Sequence, residues 1–359
     1  MGSYWNVEEQ EESAASFAWL LVNDFARWEV LKVVIDLQVF EIIKEQGPGA
    51  CLSAAEIAAK LPTTNVEAAQ SYLGRMLDVL VSNSILILSR DTVEKRYGLA
   101  PVCKFLMPNE DGVSLLPFMD TKLHSCLSVG FNHLKNAVLE GTKTPVTKAL
   151  GMRLFEYMDK HPEVQKTFNK AMSDHSTLVM HEILKKYKGF EGLSSLVDVG
   201  GATGASLALI CSQYPQIKGI NFDQPHVIAA APSYPGVEHI GGNIFASIPK
   251  GDAMFLKWMC HGFTDEQCIK LLKDCYAALP EDHGKVILCE YILPDTDEAT
   301  TNVAAKSVLH FDAIMMCMHE GKERTKLEFK ALAFKAGFQA FQVVCSAHNV
   351  YVMELLKKT

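Results

Sequence analysis

The sequence lacks any apolar run long enough to cross a membrane. Its most apolar N-terminal stretch, residues 17–22, ends at Asn23 and Asp24. A membrane-spanning helix needs about 18 or more consecutive apolar residues. The first dozen residues also contain no Lys or Arg, whereas a secretory signal begins with basic residues. We therefore expect a cytoplasmic protein that has no membrane partner.

The sequence also lacks an excess of basic residues. It has 34 Lys and Arg against 42 Asp and Glu, a formal net charge of −8. The helix predicted over residues 65–82 carries Arg75 against Glu67 and Asp78. A helix that reads DNA needs several Lys or Arg side chains to contact the phosphates. We therefore expect no nucleic-acid partner, although the surrounding pattern is that of a winged helix.

Cysteine pairs with metal-site spacing are missing as well. None of the 10 cysteines forms a CxxC motif, and the nearby histidines lack the spacing of zinc ligands. Cys289 and Cys345 lie within apolar runs, which is typical of buried thiols in a reducing compartment. The sequence therefore predicts neither a disulfide framework nor a metal site.

Apolar residues make up 48% of the 359 positions, which predicts a packed protein of about two domains at roughly 150 residues each. Residues 10–45 have the spacing of two amphipathic helices, which end at the breaking sequence 47–49. A capping box at 53–56 opens a short helix. The helix over 65–82 and two short strands within 85–99 complete a winged-helix pattern.

The second half of the chain changes character. Residues 112–188 have a mostly helical pattern, whereas short apolar runs alternate with helical segments from residue 193 onward. The predicted strands cover residues 196–199, 219–222, 253–256, 286–289 and 343–345. This alternation predicts an α/β fold in which helices cover both faces of a mainly parallel, doubly wound sheet.

A glycine-rich turn at residues 196–204 follows the first of these strands and leads into a helix. Glycines permit close backbone approach, and a helix N-terminus attracts an anion. Ala202 and Ala205 break the GxGxxG fingerprint of nicotinamide cofactors. The turn therefore predicts a site for a carboxylate and a nucleoside. Asp223, just past the next strand, is placed to bind the ribose hydroxyls.

Five motifs stand in a recognisable order, together with the C-terminal sequence 351–354. They are Val197-Asp-Val-Gly-Gly201, Phe222-Asp-Gln-Pro-His-Val227, Val237-Glu-His-Ile-Gly-Gly242, Phe255-Leu-Lys-Trp-Met-Cys-His261 and Gly321-Lys-Glu-Arg-Thr325. In these motifs the chain resembles plant S-adenosylmethionine-dependent O-methyltransferases, most closely the caffeic acid O-methyltransferase branch, over nearly its whole length.

The resemblance implies a homodimer built from two domains. An N-terminal, mainly α winged-helix-like dimerisation domain is expected over residues 1–111. A Rossmann-like methyltransferase domain is expected over residues 112–359, with a helical acceptor-pocket segment at 112–188 and the α/β core at 189–359.

The resemblance also implies the catalytic group. His261 matches the family's catalytic base, and Glu290 and Glu323 match the two glutamates that orient it. A phenol has a pKa near 10 and is mostly protonated at neutral pH. A base that removes its proton typically contributes about 10²–10⁴-fold. Because a sulfonium donor is already activated, alignment and one base suffice, and no metal is expected.

The residues expected to bind S-adenosylmethionine come from the same resemblance. They are Gly200, Asp223, Asn243, Ile244 and Lys257. The family usually has Asp where this chain has Asn243, and the oxygen of that Asp accepts a hydrogen bond from the adenine amino group. The amide oxygen of Asn243 can accept the same bond, without the charge.

The acceptor pocket is where the sequence departs from the family. The matching pocket positions are Phe168, Met172, His175, Ile314, Met315 and His319. The family's Asp after the catalytic histidine is Gly262 here, and His319 replaces an Asn that helps to hold a catechol oxygen. Loss of such polar partners strongly changes how an enzyme discriminates between substrates. We therefore expect a small aromatic, phenylpropanoid-like acceptor other than caffeic acid as the best substrate.

Two alternatives remain open at this point. One is N-methylation of an aromatic amine, as in the related anthranilate N-methyltransferases, because an arylamine needs no strong base. The other is a non-catalytic dimer that keeps the cofactor site for ligand binding. The second alternative rests on the residues at positions 202, 243 and 262. Retention of His261 with both glutamates favours transfer to oxygen.

Overall fold

A computed structural model describes residues 7–89, 93–141 and 143–358. The chain divides into two compact units, Met1–Leu116 and Pro117–Thr359. The sequence placed a domain boundary between residues 111 and 112, and that exact position stays a prediction. Within the described ranges, no helix combines the length and apolar content needed to cross a membrane.

The first unit begins with three helices, where the sequence pattern predicted two. They are α1 (Val7–Asn23), α2 (Phe25–Asp36) and α3 (Val39–Lys44). The extra break has a local cause, because Gln38 adopts a left-handed conformation with φ of 53° and ends the helical path. The prediction of two helices over 10–45 is therefore wrong in number, although the segment is helical.

The rest of this unit has the predicted winged-helix arrangement. Its elements are β1 (Cys51–Ser53), α4 (Ala54–Ala58), α5 (Val66–Ser82), β2 (Leu86–Ser89) and β3 (Arg96–Leu99). The capping box is confirmed by hydrogen bonds between Ser53 and Glu56 in both directions. The strands form an antiparallel sheet in the order β1-β3-β2. α5 buries Leu73, Leu77 and Leu80 in the core of this unit.

The second unit opens with a helical segment, as predicted. Its helices are α6 (Thr121–Phe131), α7 (Leu134–Glu140), α8 (Pro145–Leu150), α9 (Leu154–Lys160) and α10 (Pro162–Lys186). An apolar cluster combines residues of this segment, such as Val146 and Leu154, with Met315 and Cys317 from a later helix. The segment is therefore packed against the α/β core that follows it.

A seven-stranded sheet forms the centre of the second unit. The strands are β4 (Ser195–Val199), β5 (Lys218–Asp223), β6 (Val237–Gly241), β7 (Ala253–Lys257), β8 (Lys285–Tyr291), β9 (Ala340–Ala347) and β10 (Val350–Leu356). Their order is β6-β5-β4-β7-β8-β10-β9. The first five strands are parallel, whereas β10 is antiparallel to both β8 and β9.

Helices cover both faces of this sheet and bury an apolar cluster on each. The helices that follow β4 are α11 (Ala205–Gln213), α12 (Pro225–Ala229), α13 (Asp265–Ala278), α14 (Val303–Met318) and α15 (Lys326–Ala336). The cluster on one face contains residues of α13 and α15, and the cluster on the other contains residues of α10 and α11. The strand order reverses at β4, which lies between β5 and β7. In doubly wound sheets, ligands bind at the carboxyl ends of the strands at such a point. The predicted site residues therefore meet at this edge.

Candidate active site

The glycine-rich turn follows β4 and is held by hydrogen bonds from β5. Gly200 and Gly204 both have positive φ, 75° and 85°, which lets the backbone turn sharply into α11. Ala202 shares this left-handed conformation, with φ of 51°. Its N–H donates to Oδ2 of Asp223 at 2.8 Å, and its carbonyl accepts from Nδ2 of Asn221 at 2.9 Å. Hydrogen bonds within the protein therefore hold the turn in this shape.

Asp198 lies beneath this turn, and sequence reasoning gave it no role of its own. The side chain is buried, and its Oδ2 has no hydrogen-bond partner among the described residues. Burial, together with the nearby charge of Asp223, raises the pKa of Asp198 to about 7. An acidic residue inside an otherwise apolar strand is the sequence signal that could have identified it. Such a carboxylate is a suitable partner for a cationic ligand group.

Asp223 stands at the end of β5, where the sequence placed it. Burial raises its pKa, and its two oxygens accept from the N–H groups of Ala202 and Gln224. Each oxygen keeps a second lone pair for a ribose hydroxyl. The N–H of Gly242 donates to the Asp223 carbonyl at 2.8 Å, so the turn after β6 lies beside it.

That turn carries Asn243 and Ile244. Asn243 is exposed, and its Oδ1 accepts from the N–H of Phe245 at 2.9 Å, so part of its predicted acceptor capacity serves the turn itself. Ile244 packs against the sheet core. The structure thus places these two directly after Gly242, which is hydrogen-bonded to Asp223.

Lys257 stands at the end of β7, beside the rings of His175 and Trp258. Its Nζ lies 3.4 Å from Nδ1 of His175 and 4.6 Å from the centre of the Trp258 ring. The His175 ring stacks on Trp258 at 3.8 Å. Burial lowers the pKa of Lys257 to about 8 and the pKa of His175 well below its usual value. His175 is therefore neutral, and its Nδ1 accepts from the ammonium group.

His261 lies in a single 3-10 turn (Cys260–Gly262) after β7, and the two predicted glutamates reach it. Its Nδ1 is 2.8 Å from Oε1 of Glu323 and 4.0 Å from Oε2 of Glu290. Oε1 of Glu290 accepts from the N–H groups of Met259 and Cys260 at 2.8 and 2.7 Å. The structure therefore brings the three predicted catalytic residues together, and Glu290 also holds the backbone next to the histidine.

Burial shifts the protonation of this group. It lowers the pKa of His261, while it raises the pKa of Glu290 to about 7 and that of Glu323 to about 8. One oxygen of each glutamate, Oε2, lacks a hydrogen-bond partner among the described residues. Because three titratable groups share one buried space, their protons are distributed near neutral pH as a unit.

Aromatic rings surround the histidine, and sequence reasoning did not assign them. The Trp258 and Phe311 rings lie 5.6 and 5.8 Å from the His261 ring. Tyr291 packs edge-on against both, at 5.3 and 5.1 Å. Trp258 adopts a left-handed backbone conformation with φ of 55°, an uncommon one for a bulky residue. The aromatic wall favours a flat, apolar acceptor next to the base.

The predicted pocket residues fall on α10, α14 and the segment after α14. Phe168, Ile314 and Met315 belong to one apolar cluster, and Met172 is partly buried one turn before His175. His319 stacks on Phe155 at 5.4 Å, and Phe155 in turn meets Phe168 edge-on at 6.0 Å. Burial and the charge of His261 lower the pKa of His319 to about 4, so its ring is neutral.

Comparison with known proteins agrees with these features. The family model for the O-methyltransferase domain matches residues 131–339, and the model for the O-methyltransferase dimerisation domain matches residues 19–109. Among curated relatives, O-methyltransferase 1 of Lophophora williamsii is 55% identical over 99% of this chain and 98% of the relative. Caffeic acid 3-O-methyltransferase of Prunus dulcis is 54% identical over 98% of this chain and 97% of its own.

Solved structures show the same fold at lower identity. Human N-acetylserotonin methyltransferase in complex with SAM aligns with a TM-score of 0.76 and 21% identity, covering 100% of both chains. The calicheamicin biosynthetic methyltransferase CalO1, in its SAH-bound form, aligns with a TM-score of 0.76 and 20% identity, covering 96% of this chain and 98% of the other.

Proposed function

The chain belongs to the S-adenosylmethionine-dependent O-methyltransferase family, and on that premise we propose that it methylates a hydroxyl of a small, phenylpropanoid-like aromatic acceptor. The observation that carries this proposal is the buried contact between Nδ1 of His261 and Oε1 of Glu323 at 2.8 Å. It leaves the second ring nitrogen, Nε2, to face an acceptor.

The cofactor fits the residues present at the sheet edge. When bound, S-adenosylmethionine supplies an electrophilic methyl group on a sulfonium. The Oδ2 of Asp198, which has no hydrogen-bond partner among the described residues, suits a cationic group. Gly200 has a positive φ, and the Met259 side chain lies where its Cβ would be, so glycine is favoured at this position of the turn. Asp223 would hold the ribose, Asn243 and Ile244 the adenine, and Lys257 would face the cofactor from β7.

Protein side chains would remove the proton of the acceptor hydroxyl and stabilise the charge that results. With Glu323 ionised, Nδ1 of His261 carries a hydrogen and donates it, so Nε2 has a free lone pair. Nε2 would accept the proton of the acceptor hydroxyl, and that oxygen would take the methyl group that bound S-adenosylmethionine supplies, while the electron pair of the methyl–sulfur bond would stay on sulfur as a neutral thioether. The imidazolium that results is stabilised by Glu323 and, at 4.0 Å, by Glu290. The mechanism needs no metal, which stays a prediction.

The acceptor pocket supports a substrate other than caffeic acid. Phe168, Met172, His175, Ile314 and Met315 would form its wall, and His319 would face the ring from the segment after α14. Gly262 places no side chain beside the base, so the carboxylate that the family uses there is missing. The amine alternative gains no support from a buried His–Glu pair, because an arylamine requires no base before attack.

Two further parts of the proposal concern the whole molecule. A homodimer is supported by the matched dimerisation domain and by exposed apolar side chains on α1, among them Phe17, Trp19 and Leu20. A cytoplasmic location is supported by ten free cysteines, eight of them buried. The few basic residues of α5 support the absence of a nucleic-acid partner.

A methyl-transfer screen tests the proposal. The protein is incubated with S-adenosylmethionine and a panel of phenols and aromatic amines, including caffeic acid and anthranilate, and products are identified by mass. We expect transfer to a phenol other than caffeic acid, with and without EDTA. His261→Ala should lose this activity and retain cofactor binding by calorimetry. Exclusive methylation of amines, or full activity of His261→Ala on a phenol, would overturn the proposal.

A further inference from the structure

Arg324 is a fully buried cation that the mechanism above does not use. Its Nη1 donates to the Cys260 carbonyl at 2.6 Å, and its Nη2 donates to the Phe263 carbonyl at 2.8 Å. Its Nε donates to Oδ1 of Asp265 at 2.9 Å. The two carbonyls belong to residues on either side of His261. The guanidinium therefore spans the short turn that presents the catalytic histidine.

The backbone of Arg324 contacts the segment that directly follows the strand of Glu290. Its carbonyl accepts from the N–H of Leu293 at 2.8 Å, and it forms an isolated parallel bridge with Ile292. These two residues directly follow β8, the strand that carries Glu290. One residue thus joins the histidine turn by its side chain, the end of β8 by its backbone, and Glu323 by a peptide bond.

The loop before Arg324 packs equally tightly against the same turn. A Cβ at Gly321 would collide with the His261 carbonyl oxygen and with the Gly262 backbone. Glycine is therefore required there for the two backbones to approach. The loop and the turn form a close contact in which small displacements are transmitted to the distance between His261 and Glu323.

We propose that Arg324 is a positioning residue for methyl transfer: its forked hydrogen bonds to the Cys260 and Phe263 carbonyls set the distance and angle between His261 and Glu323. The planar guanidinium binds two divergent acceptors at once, which a lysine ammonium on a flexible stem cannot reproduce. A displacement of about 1 Å in a catalytic group costs on the order of 10²-fold in rate. This inference rests on the proposed role of His261 as the base.

The test compares Arg324→Lys and Arg324→Gln with the control Asp265→Asn. The control neutralises the outer ion pair but leaves both carbonyl contacts of the guanidinium in place. We expect Arg324→Lys to lower kcat by about 10²-fold. The KM for the acceptor and the affinity for S-adenosylmethionine should stay within about threefold of the wild type. Asp265→Asn should keep most of kcat.

A double-mutant cycle with Glu323→Gln separates positioning from a general structural role. If Arg324 acts through the His261–Glu323 contact, Arg324→Lys should reduce kcat little further once Glu323→Gln is present. The proposal would be overturned if the loss in kcat of the double variant equalled the product of the two single losses. An unchanged kcat in folded Arg324→Lys protein would overturn it as well. Loss of cofactor affinity in step with loss of thermal stability would also overturn it, in favour of a structural role.

The experiments distinguish a failure of the proposed role of Arg324 from a failure of the proposed function. If Arg324→Gln fails to fold, the Lys variant and the cycle still decide the question. If His261→Ala keeps full activity, the proposed base is wrong whatever Arg324 does. If His261→Ala is inactive and Arg324→Lys is fully active, only the positioning role is wrong.

Discussion

Nδ1 of His261 and Oε1 of Glu323 are 2.8 Å apart, within a site where both side chains are buried. Glu290 contributes differently, since its Oε1 accepts two backbone N–H groups and its Oε2 stays 4.0 Å from the ring. The two glutamates therefore have separable tasks. In the proposed mechanism, Glu323 fixes the tautomer of His261, and Glu290 mainly holds the backbone of the turn.

Glu323→Gln should consequently lower kcat far more than Glu290→Gln. We expect a loss of about 10²- to 10⁴-fold for Glu323→Gln, the range that a working general base contributes. A glutamine at 290 still offers an oxygen to both backbone N–H groups, so its loss should be smaller. Steady-state kinetics and thermal melting of both variants measure this. Equal losses in kcat would contradict the division of tasks.

The pH dependence of the reaction should reflect the titration of His261 together with Glu290 and Glu323. Burial raises the pKa of Glu323 to about 8, and a protonated Glu323 would donate to Nδ1 and leave the hydrogen of His261 on Nε2, where it blocks proton uptake. Activity should therefore rise with pH up to about 8. A histidine acting alone, with its pKa lowered by burial, would give no rise in activity near pH 8.

The measurement is the profile of kcat/KM for the acceptor against pH. Glu323→Gln should lose the rise near pH 8 in whatever activity remains, since the titrating carboxyl is gone. A wild-type profile that is flat from pH 6 to pH 9 would contradict the assignment.

Asp198 should make the ligand-free protein less stable as the pH rises. Its pKa of about 7 in the folded state lies above its ordinary value of 3.8, so folding favours the neutral form. That stabilisation is fully present below pH 3.8, decreases as the pH rises toward about 7, and is gone above it. Asp198→Asn should therefore melt at a higher temperature than the wild type at pH 8, with a smaller difference at pH 5.5.

The same variant should bind S-adenosylmethionine at least about tenfold more weakly, a change of about 1.4 kcal/mol. Calorimetry at pH 7.5 measures this. Ser206→Ala, on the neighbouring helix α11, is a control that leaves the carboxylate in place. Unchanged affinity in Asp198→Asn would show that this carboxylate faces no cationic group of the cofactor.

Ala202 should be a site where glycine stabilises the fold. A non-glycine residue in the left-handed region costs roughly 1–2 kcal/mol, and Ala202 has φ of 51°. Its backbone hydrogen bonds to Asp223 and Asn221 do not involve the methyl group. Ala202→Gly should raise the free energy of unfolding by roughly 0.5–1 kcal/mol after the added flexibility of glycine is counted.

Denaturant titration tests this, with Ala208→Gly as the matched control. Ala208 lies inside α11, where the same substitution should cost about 1 kcal/mol. We expect Ala202→Gly to raise the free energy of unfolding and Ala208→Gly to lower it. A loss of stability in Ala202→Gly would show that the methyl group makes a packing contribution larger than the strain.

Gly262→Asp should restore a preference for catechol acceptors. A Cβ at position 262 would meet nothing within 4 Å, so no neighbouring atom obstructs the start of a side chain there. A carboxylate there can accept from the hydroxyl next to the reacting oxygen. We expect kcat/KM for caffeic acid to rise at least about tenfold relative to the best wild-type acceptor. Gly262→Ala, which adds volume without an acceptor, should leave the ratio nearly unchanged.

Local sequence patterns predicted the elements that depend on local chemistry. The helix over 65–82 was recognisable because Asn65 caps it and its apolar residues share one face, and the structure confirms both. The break at Gln38 was missed, since it involves neither glycine nor proline. The strands β6 and β10 were not predicted, and the position of β10 between β8 and β9 could not be, because an apolar run does not encode its neighbours or its direction.

The site was predictable to a similar degree. His261 and Asp223 each follow a strand, so their approach at the sheet edge could be derived from topology. Glu323 has no such local signal and was found only through the family resemblance. Arg324 and Phe311 were missed altogether, because their contacts with the turn at His261 arise between segments far apart in the chain.

All ten cysteines are free, and only Cys51 and Cys345 are partly exposed. Burial raises the pKa of Cys103 and of Cys211 to about 11, so these thiols are protonated and unreactive in the folded chain. Cys103 belongs to the first compact unit and Cys211 to the second. Pulsed alkylation followed by peptide mass analysis would therefore measure the rate of opening of each unit separately, because each unit has a buried thiol that reacts only when it is exposed.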